Sequence, residues 1–400
     1  MGAHRTGTAR RGWMAAVLSA ALLALAACGS GGGDEESGGG TAAGGGGGSC
    51  ELPGEVKVAA IQELTGPAAF AGLSAQKGVQ LAVKEINEQG EILGDSTLVV
   101  EYSDTAGNAQ TAASQATEAI SNDEYVAAFG PVTSGTAVAV APVAERGQLP
   151  IVFSQAGSDG VVIGDYTFRI TPPMATYYTK IADYITAEGV ETMSVVYTSD
   201  FPTLNGIATT TLPDIAEETG VEIQASVGVP LATQDFTAPI SQGLEGDPDM
   251  MAILLVGAQN PTAMRQLRQA GFTGPVIGNS GAGAGNLAPA GQDGAGMTWP
   301  ATFNYEEEGE STQAFVEAYN TEYGENPLNY AAEAYDGTYW LARAIAEGCD
   351  RAGTQAGLQT IAGEGFTGAL GEITFEGNDA RLPGLVVQWD GTKEIILTDL

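Results

Sequence analysis

The chain reads as an α/β protein of two lobes, on three observations. Short Val- and Ile-rich runs alternate along it with segments of helical periodicity, a pattern that predicts parallel strands covered by helices on both faces. These strands are too many for one comfortable sheet. The 400 residues also leave ample chain for two cores once the apolar and glycine-rich opening is set aside.

That opening comes first. Arg5, Arg10 and Arg11 precede an apolar run from Trp13 to Ala27, which is the basic and then hydrophobic layout of a secretory leader. The run is shorter than the ~20 residues a spanning helix requires. "LAAC" (25–28), followed by Gly29, resembles the lipobox of bacterial lipoproteins. That likeness implies a leader over 1–27, lipidation of Cys28, and a place on the outer face of the cytoplasmic membrane. Residues 28–50, nearly all Gly, Ser and Ala with a few acids, can bury nothing. As a flexible coil they would span on the order of 25 Å and act as a tether.

The body then alternates. "VKVAAIQ" (56–62) reads as a buried strand. Ala75, Val79, Ala82, Val83 and Ile86 follow it on one face of a helix,. "TLVVEY" (97–102), "VAAFG" (126–130) and "PIVFS" (150–154) are further strands, each a helix-length apart. The series resumes with "MSVVYT" (193–198), "VEIQASV" (221–227), "MAILLV" (251–256) and "PVIGN" (275–279). A late helix carries Ala331, Ala334, Tyr335, Thr338, Leu341, Ala342 and Ile345 on one face, and a strand-rich segment, "GEITFE…LVVQWD…KEIIL", closes the chain.

Composition then excludes partners. Fifteen basic residues against 49 acidic ones give a formal charge of −34, and loss of the leader would make it more negative. Such a body repels nucleic acid and anionic lipid surfaces. His4 is the single histidine and lies in the leader, so the expected mature chain has no imidazole for general-base work or metal ligation. No P-loop, HExxH or GxSxG is present, and "GNSGAGAGN" (278–286) has the wrong spacing for a dinucleotide turn. The sequence thus predicts no catalytic residues, no metal and no cofactor. With Cys28 acylated, Cys50 and Cys349 remain as a candidate disulfide in an oxidising compartment.

The turns that follow strands carry the candidate site. In "FGPVTSGTAVAVAPVAERG" (129–147) a strand gives way to a helix near Ser134. Ser134 suits an N-cap, and Gly135 allows close approach to the backbone. First-turn amides there favour a carboxylate or another anion, at the strand end where open α/β sheets bind ligands. "SQAGSDG" (154–160) follows the next strand and offers the Ser158 hydroxyl and the Ala156 carbonyl beside Gly157. "IQELTGPAAFAG" (61–72), with Phe70 and Ala71, and "YTSDFPTLNG" (197–206), with Asp200 and Phe201, end other strands in the same way.

Taken in order, "LTGPAAFAG", "GPVTSGTAVA", "LPIVFSQAGS", "YAAEAYDG" and "GALGEITFEGNDAR" resemble the branched-chain amino acid binding proteins of ABC importers. These are class I periplasmic binding proteins of the leucine/isoleucine/valine type. The resemblance implies two Rossmann-like lobes, joined by three hinge crossings, that close on a ligand held in the cleft between them. It places lobe 1 at 51–170 and 304–372 and lobe 2 at 171–303 and 373–400. It also implies a monomer that binds a small molecule and partners ABC permease subunits.

By the same resemblance, Ser134 would hold the ligand carboxylate with its neighbouring amides. Ala156 would supply main-chain contacts, and Ser158 stands where threonine is usual. Ala71 stands where many members carry an aromatic that packs on the ligand, so either Phe70 takes over that contact or nothing does; Phe201 lies near a second-lobe aromatic of the family. Ser280 departs from the pattern, because the family usually pairs the ligand ammonium with a glutamate there. Either Asp200 substitutes for that acid or the ligand carries no amine. A neutral amino acid is the leading ligand; amides, urea and aromatic acids are alternatives, as is a sensing role without transport.

Overall fold

The computed structural model describes residues 51–398; the leader, the tether, Cys28 and Cys50 lie outside them. The first pass through lobe 1 alternates as the pattern predicts. It runs β1 (Glu55–Gln62), α1 (Ala69–Gln89), β2 (Thr97–Asp104), α2 (Ala109–Ser121), β3 (Tyr125–Phe129), α3 (Ser134–Gly147) and β4 (Ile151–Phe153). The short β5 (Thr167–Arg169) ends this pass.

The chain then crosses at 170–173 into lobe 2. There it forms α4 (Met174–Tyr178), α5 (Lys180–Glu188), β6 (Thr192–Thr198), α6 (Pro202–Gly206), α7 (Leu212–Thr219) and β7 (Glu222–Val229). Next come α8 (Thr237–Gly243), β8 (Met250–Leu254), α9 (Gln259–Gln269), β9 (Val276–Ile277), α10 (Ala284–Leu287) and β10 (Met297–Ala301).

A second crossing at 302–309 returns to lobe 1. It leads into α11 (Glu310–Tyr323), α12 (Asn329–Gly348), α13 (Arg351–Glu364), β11 (Phe366–Gly368), β12 (Gly371–Glu376) and β13 (Asp379–Arg381). The last crossing, 382–384, delivers β14 (Leu385–Trp389) and β15 (Glu394–Leu397) to lobe 2.

Among the described residues the strands form two sheets, ordered β11-β12-β13-β5-β4-β3-β1-β2 and β15-β14-β10-β9-β8-β6-β7. The inner strands of both are parallel; β14 joins β10 antiparallel, whereas β13 joins β5 in parallel and carries β12 antiparallel beyond it. The topology corrects one boundary. Lobe 1, expected to end at 372, continues through β12 and β13, which pair onto β5, so the return to lobe 2 comes after Arg381. Alternating polarity marks a strand; it does not say which sheet the strand joins.

In lobe 1, α1 buries Ala75, Val79, Ala82 and Ile86, the face its periodicity selects. It lies against α12 so closely that a Cβ on Gly78 would stand 2.1 Å from the Ala331 carbonyl oxygen. Phe168 and Trp340 meet edge to face beneath the sheet. Lobe 2 has cores on both faces of its sheet, around Tyr178, Leu212 and Ile215 on one and Phe236, Met264 and Trp299 on the other. Phe70 packs against the cores of both lobes. Cys349, the left-handed C-cap of α12, is disulfide-bonded.

Candidate ligand-binding cleft

Between the lobes lies a cleft with ≈ 490 Å³ of atom-free space, part of it open to solvent. Lobe 1 contributes Phe70, Ser134, Gln155 and Tyr330 to its wall, and lobe 2 contributes Phe201, Thr203, Val256 and Ser280. Much of the rest is apolar, from Ala68, Ala71, Met174, Leu204 and Leu255. A few placed polar groups in a mostly apolar wall is the composition of small-molecule sites.

The start of α3 makes the polar corner. Thr133, not Ser134, is its N-cap, and it makes no side-chain capping bond. The reason lies behind the helix, where Glu63 is buried at the end of β1. Its carboxylate accepts from the Val132 amide at 3.0 Å and from the hydroxyls of Thr133 at 2.8 Å and Thr136 at 2.5 Å. Burial pushes this carboxyl above its ordinary range, and the three donors pull it back. The hydroxyls that would cap the helix are thus drawn to Glu63. Among the described residues, the amides of Ser134, Gly135 and Thr136 meet no protein acceptor. Such amides at a helix start attract a negative charge.

Hydroxyls complete the corner from both lobes. Ser134 Oγ accepts from the Ser158 amide at 3.0 Å and pairs with Thr203 Oγ1 at 2.8 Å, while Ser158 Oγ lies 3.0 Å from the same threonine. Thr203 lies in the first turn of α6, just after Pro202. Its hydroxyl bridges the lobes. The sequence pattern singles out Asp200 and Phe201 in this turn and gives the threonine no distinguishing mark.

The loop 154–160 is pinned from beneath. Arg169, fully buried, donates Nη1 to the carbonyls of Ala156 (2.5 Å) and Ser158 (3.0 Å) and Nε to Asp379 (2.7 Å). The Ala156 carbonyl, expected to face a ligand, is therefore occupied by a guanidinium. Gly157 faces α4, where a Cβ would come 2.9 Å from Met174 Cβ. Neither residue is part of the cavity wall. Arg169 left no motif in the sequence, since a lone arginine in a short strand has no distinguishing spacing.

Of the residues singled out in the sequence, Phe70, Ala71, Phe201, Ser134 and Ser280 line the cavity. Gly135 faces across the cleft; a Cβ there would find its nearest neighbour, Pro202 Cδ, 3.9 Å away. Asp200 does not line it; its exposed carboxylate accepts from the Leu231 amide at 2.7 Å. The substitute-acid expectation fails on this placement, because the side chain caps a loop of lobe 2. Ser280 begins a short 3₁₀ turn held by Asn279, whose side chain accepts from the Gly281 amide. Tyr330 faces Ser280 and packs edge-on against Phe70, with ring centroids 5.7 Å apart.

These features coincide with a known family. Residues 55–393 match the model of the periplasmic binding protein family. The chain belongs to that family. With membership goes an extracytoplasmic, non-enzymatic, solute-binding role. Curated relatives include the Leu/Ile/Val-binding protein BraC3 of Rhizobium johnstonii, 24% identical over 80% of this chain and 87% of the relative. A Leu/Ile/Val-binding protein homolog of Brucella abortus is 23% identical over 85% of this chain and 90% of its own length.

Among solved structures, the branched-chain amino acid binding protein LivJ of Streptococcus pneumoniae, in complex with isoleucine, superposes with a TM-score of 0.79. It is 23% identical, over 86% of this chain and 99% of its own. A solute-binding protein of R. palustris in complex with benzoate gives 0.78 at 18% identity, over 86% and 96%. Among the described residues no group of acids, His or Cys could hold a metal, and no helix is long and apolar enough to cross a membrane.

Proposed function

We propose that this binding protein is the solute receptor of an ABC importer and that its ligand is a branched-chain or other neutral amino acid. The observation that carries the reading is the polar corner. Three acceptor-free amides at the start of α3 and the hydroxyls of Ser134 and Thr203 converge at one end of a mostly apolar cleft, while Ser158, outside the cavity wall, bonds to both hydroxyl-bearing residues. A ligand carboxylate seats there, and an aliphatic side chain rests against Phe70, Phe201 and Leu204. The Leu/Ile/Val-binding names of the relatives support the same class. Because the contacts come from both lobes, the ligand favours the closed arrangement and biases the hinge toward it. The receptor is a monomer tethered through lipidated Cys28, and the closed form is what a permease engages.

A second reading rests on Ser280. Among the described residues no carboxylate lines the cavity, so an ammonium would find hydroxyl and amide groups but no counter-charge. A carboxylate without an amine suits such a wall, and one structural neighbour holds benzoate. Isothermal titration against leucine, isoleucine, valine, urea, phenylacetate and benzoate separates the two. Heat with the aliphatic amino acids supports the first reading; heat with the aromatic acids alone supports the second. Binding of urea but of no carboxylate overturns both. Detergent-phase partitioning that survives Cys28→Ser would overturn the anchor.

A further inference from the structure

Thr133 has the backbone of a helix N-cap, with φ −94° and ψ 141°, yet its side chain makes no capping bond. An N-cap threonine ordinarily accepts from the amide two or three residues on, here Gly135 or Thr136. Thr133 Oγ1 instead donates to Glu63 Oε1 at 2.8 Å, and the Thr136 hydroxyl donates to the same oxygen at 2.5 Å. Glu63 Oε2 takes the Val132 amide at 3.0 Å. The acid is fully buried and its backbone is fixed. The first turn of α1 lies so close that a Cβ on Gly72 would collide with the Glu63 carbonyl. The donors acting on Glu63 all belong to the segment 132–136, and no basic side chain is among them.

We infer that Glu63 is a positioning residue that keeps the anion site at the start of α3 open, by holding the Thr133 hydroxyl off the amides that a ligand carboxylate would take. Glu63 lies outside the cavity wall and Thr133 within it, so the acid acts through the threonine. With the Thr133 backbone already in the cap conformation, release of its hydroxyl lets the side chain turn onto the Gly135 or Thr136 amide. Threonine and ligand then compete for the same donors, and a competitor three bonds from its own backbone is never diluted. Thr136 is no such rival, because its hydroxyl also lies 2.9 Å from the Thr133 carbonyl. Coulomb's law alone gives Glu63 the opposite effect, since an acid behind the site repels a carboxylate in it. Charge and hydrogen bonding can be removed separately, and the two effects part there.

This inference rests on the reading that a ligand carboxylate seats at the start of α3, and one of its tests needs no ligand. Glu63→Gln removes the charge and keeps groups that bond the two threonines; Glu63→Leu removes both at similar volume. Titrated with leucine, Glu63→Gln is expected to bind at least as tightly as wild type. Glu63→Leu should bind about threefold to thirtyfold more weakly than Glu63→Gln, the strength of an N-cap. Adding Thr133→Val to Glu63→Leu takes away the capping hydroxyl and should restore affinity to within about twofold of Glu63→Gln. A merely structural role for Glu63 gives no such recovery, because Thr133→Val replaces no lost contact. Equal affinities in Glu63→Gln and Glu63→Leu, or a double variant as weak as Glu63→Leu, overturn the inference. Without ligand, the amide proton resonances of Gly135 and Thr136 in the full chain are expected upfield, as for unbonded amides. One of them should move downfield in Glu63→Leu and return in the double variant. Both downfield in wild type would overturn the inference even where Glu63→Leu fails to fold. If neither leucine nor benzoate gives heat while the resonances move as stated, the carboxylate reading fails and the role of Glu63 stands.

Discussion

Ser134 Oγ and Thr203 Oγ1 stand 2.8 Å apart on opposite sides of the cleft, one on the first turn of α3 and the other on the first turn of α6. The two lobes therefore meet through the same hydroxyls that face the cavity. A ligand carboxylate at this corner would join groups from both lobes in one hydrogen-bond network. Ligand recognition and lobe closure then become a single event.

Ser134→Ala is predicted to weaken leucine binding by about ten- to a hundredfold, the loss of one hydrogen bond to a charged group. Thr203→Val removes a hydroxyl near two lobe 1 partners and should weaken closure as well as binding. Titration calorimetry measures the first effect, and the change in small-angle scattering on adding leucine measures the second. A Thr203→Val protein that still compacts fully on leucine would count against the hydroxyl bridge.

Asp379→Ala leaves the buried Arg169 guanidinium without its carboxylate. We expect a stability loss of about 3 kcal/mol, the usual cost of stranding one partner of a buried pair, read from urea denaturation. The loop carrying Ser158 hangs from the same guanidinium, so affinity should fall with stability. A loss below about 0.5 kcal/mol would show the pair to be as weak as a surface ion pair.

Stability should decline as pH rises from about 5 to about 8. The carboxyl of Glu333 is pushed up to about 8, and that of Asp336 to about 7, both by burial first. A carboxyl whose native value exceeds its unfolded one binds its proton more tightly when folded, so stability is full below the unfolded value and is lost as pH climbs through the native one. Thermal melts of Glu333→Gln should show a shallower decline over that window. An equal slope in the variant would remove Glu333 from the explanation.

Ser280→Glu places a carboxylate opposite Tyr330 in a cavity wall that has none among the described residues. Discrimination should move toward leucine and away from benzoate by at least about tenfold, since the new charge attracts an ammonium and repels an aromatic acid. Competition titrations with the two ligands read this directly. Unchanged discrimination would mean that the far end of the ligand lies elsewhere.

Gly257 sits at φ +48°, and a Cβ there would meet Phe70 Cε1 at 2.7 Å across the cleft. Gly257→Val should hold the lobes apart, cutting affinity by about tenfold or more while each lobe keeps its core. Scattering that shows a compact, ligand-closed variant would contradict this.

The alternation from β1 to β4 and from β6 to β9 was legible because strand and helix periods are local properties of a sequence. So was the apolar face of α12, and so was the α3 turn with Ser134, where a small-residue turn joins a strand to a helix. The sequence alone therefore determined the two-lobe α/β class and the turn that faces the cleft. Only the tertiary structure decided which polar groups are free. Glu63 draws the capping hydroxyls away from the α3 amides, Arg169 occupies the Ala156 carbonyl, Asp200 turns to Leu231, and Glu333 meets Gln155 from a distant part of the chain. Hydrogen bonding is settled by short-range geometry between segments distant in sequence, and no periodicity or spacing within one segment encodes its partner in another.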